Sequence, residues 1–207
     1  MYQDIIIAII IGYLLGSIPF ALVIGKLFYK TDVREFGSGN LGGSNAGRVL
    51  GAKVGASVIV LDVLKVTFAI FITSHFKYSE MASIWAGLAA AFGHCYPCFA
   101  GFRGGKAVAT MFGFLLGISI FTFHDASMLL IPFAVFLVVL LAGKMVSLAS
   151  MCAAIASSVY IIFTSSADST RVASILLTVL LIYRHRSNIQ RILKGEESKV
   201  KWLSKKK

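Results

Sequence analysis

The sequence predicts an all-α integral membrane protein of about seven transmembrane helices, and two observations support this fold class. Of its 207 residues, 57% are hydrophobic and only 14% are charged, which is far too apolar for a soluble domain of this size. The apolar residues also form long runs, and about 20 helical residues cross a bilayer core of about 30 Å. A bundle of membrane helices is therefore expected.

Seven apolar runs account for the predicted helices, and the fourth and the last are short enough that some runs need not span fully. In chain order they are residues 5–28, 52–74, 82–99, 108–121, 127–142, 146–163 and 172–183. A cleaved signal peptide is not expected, because the residues before the first run include Asp4 and lack a basic residue. We expect one membrane domain over residues 1–207, with polar segments at 34–51, 93–110 and 184–197 and a basic tail at 198–207.

The net charge of +11 is better explained by membrane topology than by a nucleic-acid partner, because the basic residues do not alternate with stacking aromatics. When the connections are assigned alternately to two sides, one side holds Lys26, Lys30, Arg34, Arg48, Lys53, Arg103, Lys106, Lys144 and the tail from Arg184. The other side holds only Lys77 and Arg171 among bases, with Asp4, Glu80, Asp125 and Asp168. The positive-inside rule then predicts an outside N-terminus and a cytoplasmic C-terminus.

Several features inside the apolar runs are expected to serve packing. Three small-xxx-small pairs predict close helix contacts, namely Gly12 with Gly16, Gly51 with Gly55 and Gly113 with Gly117. Asp62 is interpreted as an intramembrane partner of Lys65. Cys95 and Cys98 lie beside His94, but no second ligand pair follows at zinc-like spacing, so no metal site is expected.

The first polar segment contains GSGNLGGSNAGR, residues 37–48. Its glycines match a dinucleotide fingerprint literally, but a membrane helix rather than a strand precedes them, so that interpretation is rejected. Glycines can adopt positive φ and point backbone N–H groups at a ligand. Arg48 adds a planar charged fork suited to phosphate, and neutral donors come from Ser38, Asn40, Ser44 and Asn45. The segment predicts a phosphate cradle; the alternative is a flexible connector.

The second polar segment contains HCYPCFAGFRGGKAVAT, residues 94–110. Its proline indicates a break, after which Gly104, Gly105 and Lys106 open the next helix. A helix N-terminus beside a lysine favours anion binding. It is not a Walker A loop, because the earlier glycine is missing and Ala107 follows the lysine. The alternative is a re-entrant turn whose basic residues only follow topology.

The third polar segment is RHRSNIQRILKGEE, residues 184–197. His185 and Asn188 share one face if the last helix continues, and Arg191 and Glu197 follow them. Binding of anionic lipid explains the final lysines but explains His185 and Asn188 less well. All three polar segments are predicted on one side of the bundle, where they could converge into one anion-lined pocket.

These segments resemble the signature motifs of the bacterial acyl-phosphate:glycerol-3-phosphate acyltransferases, small membrane enzymes of phospholipid synthesis. The first follows S-x-N-x-x-x-x-N-x-x-R from Ser38 to Arg48, and the second follows G-H-x-[FY]-P through G-G-K-x-V-A-T from Gly93 to Thr110. The third follows H-x-x-N-I-x-R with a later G-x-E, from His185 to Glu197. The resemblance covers nearly the whole chain. Its departures are Ser44 for threonine, Tyr96 for phenylalanine and Ala107 for glycine, and the last matters if that backbone needs positive φ.

The resemblance implies transfer of a fatty acyl group from acyl phosphate to the 1-hydroxyl of glycerol 3-phosphate, with membrane lipid around the protein and no metal or cofactor. It also implies a bacterial inner membrane location with the site facing the cytoplasm. The residues assigned to catalysis are Ser38, Arg48, Lys106, His185 and Asn188. Substrate-binding residues are Gly37, Gly39, Asn40, Asn45, Gly104, Gly105 and Ser147, and structural ones are Arg191 and Glu197.

Direct transfer is the favoured mechanism, since acyl phosphate is already activated and the enzyme has mainly to position substrates and stabilise charge. A covalent route through Ser38 with His185 as base is less favoured, because no acidic residue is evident to orient the histidine. Two other classes stay open: a transporter of a small organic phosphate, although no inverted repeat is found, and a lipid-bound scaffold, which would not need the glycine and asparagine loop.

Overall fold

The computed structural model describes residues 2–76, 79–165 and 167–200, and in these ranges the chain is all-helical, as predicted. Lys77 and most of the predicted basic tail lie outside the described residues. The ten α-helices found there are α1 (Tyr2–Gly16), α2 (Phe20–Tyr29), α3 (Gly43–Leu50), α4 (Ala52–His75), α5 (Glu80–Cys95), α6 (Val108–Phe121), α7 (Ser127–Gly143), α8 (Val146–Thr164), α9 (Asp168–Arg184) and α10 (Arg186–Leu193). Two 3₁₀ helices add Val33–Glu35 and Cys98–Ala100.

Every predicted apolar run is helical, and three stretches are both long and apolar enough to cross a membrane: Tyr2–Tyr29, Ala52–His75 and Val146–Thr164. The remaining runs form helices of 14 to 17 residues. The number of full spans and the orientation of the termini stay predictions.

The first apolar run is two helices rather than the one expected. Pro19 lacks a backbone N–H and its ring clashes with the carbonyl four residues earlier, so α1 ends at Gly16 and α2 begins after Pro19. Pro97 acts similarly on the third run, in which α5 ends at Cys95 instead of continuing to residue 99.

The chain divides into two compact units, one up to His124 and one from Asp125. In the first unit α1 packs against α5, and α4 packs against α3, α5 and α6. In the second unit α8 packs between α7 and α9. The single membrane domain expected from the sequence stays a prediction.

Small residues make the helix contacts, while large apolar residues face outward. A Cβ at Gly12 or Gly16 on α1 would collide with the backbone carbonyls of Ala86 or Ala90 on α5, whereas Ile6 and Ile10 of α1 are exposed. This inside-out distribution suits a lipid environment.

The glycines of the other two predicted pairs also lie in close helix contacts, with one exception. Gly113 packs on the backbone of Val63, Gly117 on Ile70, and Gly55 on α3. Gly51 instead separates α3 from α4 with φ of 99°, and a Cβ there would contact nothing within 4 Å. The expected packing role of Gly51 is therefore wrong, and its function is to let the chain turn.

Candidate active site

The first polar segment is built around the buried amide of Asn45, which is 1% exposed. Its Nδ2 donates to the carbonyls of Val33 at 2.8 Å and Phe36 at 3.2 Å, and its Oδ1 accepts the backbone N–H of Ser38 at 2.8 Å. Gly37 has φ of 63°, and a Cβ there would collide with Oδ1 of Asn45. The amide therefore organises the loop from inside, and its predicted contact with substrate stays a prediction.

The exposed rim of this loop carries the predicted polar groups. Ser38 is exposed, and its Oγ accepts a long hydrogen bond of 3.3 Å from Asn40 Nδ2. The loop is not simply flexible, since α3 begins at Gly43. Arg48 is exposed on α3 and lies three residues after Asn45, the distance of neighbours along a helix. Asn45 thus links the two predicted catalytic residues of this segment: it bonds the backbone of Ser38 and lies one helical turn from Arg48.

The second polar segment makes a tight turn against the end of α5. The N–H of Gly105 donates to the carbonyl of His94 at 3.0 Å. A Cβ at Gly104 would collide with that same carbonyl, and a Cβ at Gly105 would collide with the ring Nε2 of His94. Only glycine fits at either position. The turn delivers the half-buried Lys106 to the start of α6, where the first N–H groups have no partner within the helix.

Ala107, the departure noted in the sequence, has φ of 61° and is fully buried. Its backbone is therefore left-handed rather than helical, which costs an L-residue about 1–2 kcal/mol. Of the two possibilities that the sequence left open, positive φ is the one found. Tyr96 and Ser44 show no comparable strain, since neither has positive φ.

The two segments of the first unit share one apolar core. Leu41 from the first segment and Val33, directly before it, pack with Ala100 from the second segment and with Ala21 of α2. Arg34 Nη1 reaches the carbonyl of Ala100 at 3.4 Å. The hydrogen bond from Arg34 holds the pKa of Asp32 well below its usual range, so the pair stays charged.

A buried cluster that the sequence predicted only in part lies beneath the second segment. Lys65 Nζ is 2.7 Å from Asp62 Oδ1, the expected partner, and 3.1 Å from His94 Nδ1. Sequence reasoning gave His94 no role. The sequence feature that could have indicated a role for His94 is its position in the G-H-x-[FY]-P pattern, close to the glycine turn.

The third polar segment, in the second unit, is organised by the carboxylate of Glu197. Its Oε1 accepts Ser147 Oγ at 2.7 Å and Asn188 Nδ2 at 2.6 Å, and its Oε2 accepts Arg191 Nε at 2.8 Å. Burial raises the pKa of Glu197, but these hydrogen bonds outweigh burial and lower it overall. The pairing with Arg191 expected from the sequence is present, and the carboxylate also fixes Ser147 and Asn188.

His185 interrupts the last helix rather than continuing it, since α9 ends at Arg184 and α10 begins at Arg186. Its ring is buried, and Nδ1 lies 2.8 Å from the carbonyl oxygen of Leu181. Because a carbonyl can only accept, Nδ1 donates this hydrogen bond, which fixes the orientation of the ring. The backbone break thus places a buried, oriented histidine at the junction of α9 and α10.

The predicted site residues fall in both units. The first unit holds Gly37, Ser38, Gly39, Asn40, Asn45, Arg48, Gly104, Gly105 and Lys106, and the second holds Ser147, His185, Asn188, Arg191 and Glu197. Convergence of the two sets on one pocket stays a prediction. Over the described ranges, no group of three His, Cys, Asp or Glu side chains is arranged to hold a metal.

Apolar helices of membrane-spanning length, with tight glycine turns beside arginine and lysine, define an integral membrane protein with candidate sites for phosphate. The family described as glycerol-3-phosphate acyltransferase matches residues 6–195. The chain is 50% identical to the glycerol-3-phosphate acyltransferase of Geobacillus kaustophilus strain HTA426, over 95% of this chain and 96% of the relative. It is 46% identical to the glycerol-3-phosphate acyltransferase of Listeria monocytogenes serovar 1/2a, over 98% of this chain and 100% of the relative.

Solved structures agree with these relatives. A crystal structure of PlsY (YgiH), an integral membrane glycerol 3-phosphate acyltransferase in its glycerol 3-phosphate form, matches with a TM-score of 0.87 and 38% identity over 96% of each chain. The lysophosphatidic acid form of PlsY matches with a TM-score of 0.83 and 38% identity over 94% of each chain. The chain belongs to the glycerol-3-phosphate acyltransferase family and is an acyltransferase.

Proposed function

We propose that the protein transfers a fatty acyl group from acyl phosphate to the sn-1 hydroxyl of glycerol 3-phosphate, giving 1-acyl-sn-glycerol 3-phosphate and inorganic phosphate. One observation supports this above the others. The related PlsY, 38% identical to this chain, has been solved in a glycerol 3-phosphate form and in a lysophosphatidic acid form. Those two ligands differ by one acyl group, so they are the acceptor and the product of this reaction.

The proposed mechanism is direct transfer. The 1-hydroxyl oxygen of glycerol 3-phosphate attacks the carbonyl carbon of acyl phosphate, the bond from that carbon to the phosphate oxygen breaks, and the hydroxyl proton leaves with the phosphate. Acyl phosphate is already activated, so the protein has to position the two substrates and stabilise negative charge. Ser38 and nearby loop N–H groups face the acyl phosphate in this proposal, while Arg48 and Lys106 bind the phosphate of glycerol 3-phosphate.

His185 and Asn188 orient the acceptor in this proposal. The ring of His185 is oriented by its bond to the carbonyl of Leu181, and Asn188 is held in one orientation by Glu197. Glu197 and Arg191 are structural, and Ser147 helps to place the same carboxylate. A covalent intermediate on Ser38 is not required.

An apolar groove of about 440 Å³ between α1 and α5 fits the acyl chain of the donor. One end of it lies at Tyr13 and Phe92, next to Tyr96, whose carbonyl accepts the hydroxyl of Tyr13 at 2.9 Å. Tyr96 directly follows the end of α5, where the Gly104 and Gly105 turn is bound to His94. The groove is lined by Ile9, Tyr13, Trp85, Leu88, Ala89 and Phe92.

The proposed location is the bacterial inner membrane, with the site on the cytoplasmic side, the N-terminus outside and the C-terminus inside. The distribution of basic residues among the connections supports this orientation. Cytoplasmic access also suits two phosphate-bearing substrates, while the product partitions into the membrane.

The experiment is phosphate release by the purified protein in lipid nanodiscs, given palmitoyl phosphate with and without glycerol 3-phosphate. We expect release that requires glycerol 3-phosphate and yields lysophosphatidic acid. Ser38→Ala and Arg48→Ala should each reduce it by at least about a hundredfold, the scale of a lost transition-state contact. Ser57→Ala, which removes an exposed hydroxyl bonded to its own helix, is the matched control.

Each failure has a distinct meaning. A folded protein that releases no phosphate would overturn the proposed reaction, and uptake of organic phosphate into vesicles would then test the transporter alternative. Mass spectrometry after incubation with donor alone tests the mechanism, since an acyl adduct on Ser38 would exclude direct transfer.

A further inference from the structure

Three ionisable side chains are buried within α4 and α5, and the proposed reaction assigns none of them a role. Asp62 is 1% exposed, and Lys65 and His94 are each 5% exposed. Charged groups at membrane depth are expensive unless paired, and in such segments they usually serve function. The position of these three, directly beneath the Gly104 and Gly105 turn, indicates what that function is.

Lys65 connects three separate elements. An ammonium has three N–H donors, and Nζ has three acceptors within reach: Asp62 Oδ1 at 2.7 Å, His94 Nδ1 at 3.1 Å and the carbonyl of Ile18 at 2.9 Å. Asp62 lies one turn away on α4, His94 lies on α5, and Ile18 lies in the break between α1 and α2. The break leaves the Ile18 carbonyl available to lysine. Three contacts therefore hold the ammonium in one place, the one with Asp62 as an ion pair.

This geometry also fixes the histidine. Nδ1 of His94 lies 3.1 Å from Lys65 Nζ and 3.5 Å from Asp62 Oδ1, so this charged pair fixes the orientation of the ring. Nε2 is the ring atom that a Cβ on Gly105 would strike. The backbone carbonyl of His94 meanwhile accepts the N–H of Gly105 at 3.0 Å. His94 thus supports the turn through both its ring and its backbone.

We propose that Asp62, Lys65 and His94 form a positioning triad that holds the Gly104 and Gly105 turn, and with it Lys106, in the conformation that binds the phosphate of glycerol 3-phosphate. Asp62 and Lys65 orient the imidazole, and the imidazole supports the turn. The triad does not contact the reacting atoms. This inference rests on the proposed function, in which Lys106 and the turn bind the acceptor phosphate and other groups bind the donor.

The test separates the two substrates by their KM values, measured on full-length protein in lipid nanodiscs. Lys65→Met removes the three donors and keeps the side-chain length, and Asp62→Asn removes the charge that pairs with them. We expect each to raise the KM for glycerol 3-phosphate at least about tenfold, since small displacements of a positioning group have effects of this size. The KM for palmitoyl phosphate should stay within about twofold of wild type.

Two variants of His94 test the same inference if substitution of Asp62 or Lys65 prevents folding. His94→Gln keeps a polar side chain against Gly105 and should recover most of the affinity, whereas His94→Leu should not. Thr73→Val is the matched control: it removes a buried hydroxyl that bonds within α4, and it should leave both KM values unchanged.

The outcomes distinguish this inference from the proposed function. Wild-type protein that forms no lysophosphatidic acid would overturn the proposed function itself. Active wild type with His94→Leu and Asp62→Asn showing an unchanged KM for glycerol 3-phosphate would overturn the triad alone. Equal losses for both substrates together with a lower melting temperature would assign the three residues to folding only, which also overturns the triad.

Discussion

The first and third polar segments are organised in opposite ways. In residues 37–48 the neutral amide of the buried Asn45 holds the loop backbone from below, and Ser38 and Arg48 are exposed above it. In residues 184–197 the charged carboxylate of Glu197 holds the side chains of Asn188 and Arg191, together with Ser147 of α8. The first arrangement needs glycine, because close approach and positive φ exclude a Cβ at Gly37.

This difference predicts how each segment should respond to a change in pH and to substitutions that remove charge. Hydrogen bonds between neutral groups do not titrate, so the first segment should keep its shape across a wide pH range, although losing the amide leaves several backbone groups unsatisfied. The carboxylate bonds depend on charge, so the third segment should be sensitive to acid and to neutral replacements.

The largest effect is expected for Asn45→Ala. It removes three buried hydrogen bonds, which at about 1 kcal/mol each corresponds to about 3 kcal/mol of unfolding free energy. Because Ser38 and Gly37 lose their support, phosphate release should fall by at least about a hundredfold. Chemical denaturation in nanodiscs and the phosphate-release assay measure the two effects.

Asn45→Asp sharpens this prediction. It keeps the oxygen that accepts the Ser38 N–H and loses the donors to Val33 and Phe36, so an intermediate loss is expected. Equal stability of wild type and Asn45→Ala would show that the amide does not organise the loop.

Glu197→Gln should have the next largest effect. An amide cannot accept from Ser147, Asn188 and Arg191 together without turning its own NH₂ toward one of these donors. Since Arg191 is partly exposed, the loss is discounted to about 1–2 kcal/mol of stability, with about a tenfold lower kcat through misplaced Asn188. Asp168→Asn, at the exposed Arg171 pair, is the control and should change neither quantity. An unchanged kcat in Glu197→Gln would remove Asn188 from the orienting role.

The same carboxylate predicts a pH dependence. The pKa of Glu197 in the folded protein lies below its ordinary value of 4.5, so its contribution to stability is fully present above 4.5 and is lost as the pH falls through the folded value. Thermal unfolding should therefore show a gap between wild type and Glu197→Gln that is widest at neutral pH and narrows as the pH falls below 4.5. A gap that stays constant down to about pH 3 would contradict the depressed pKa.

Local features of the sequence predicted the helices and the nearby pairs, and long-range features were missed. The apolar runs, the partnership of Asp62 with Lys65 and that of Arg191 with Glu197 all involve residues close along the chain. The contact of Lys65 with Ile18 spans 47 positions and that with His94 spans 29, so no local pattern reveals them. The short helix α3 was missed for a related reason: its glycines and asparagine have low helix propensity, and packing of Ala46 in the core favours it instead.

The smallest effect is expected at Ala107. Unlike the two segments compared above, this residue is strained in its own backbone, which has positive φ. Its left-handed conformation costs about 1–2 kcal/mol, and Ala107→Gly removes this strain while losing one buried methyl group worth about 0.8 kcal/mol. The net gain in unfolding free energy should be between about 0 and 1 kcal/mol. Ala109→Gly, two residues on and inside α6, should instead destabilise by about 1 kcal/mol, because that position is helical. Chemical denaturation of both variants measures the change in unfolding free energy, and the two changes should have opposite signs. Destabilisation by both substitutions would contradict this prediction. It would mean that the methyl group of Ala107 stabilises the fold more through packing than its backbone conformation costs in strain.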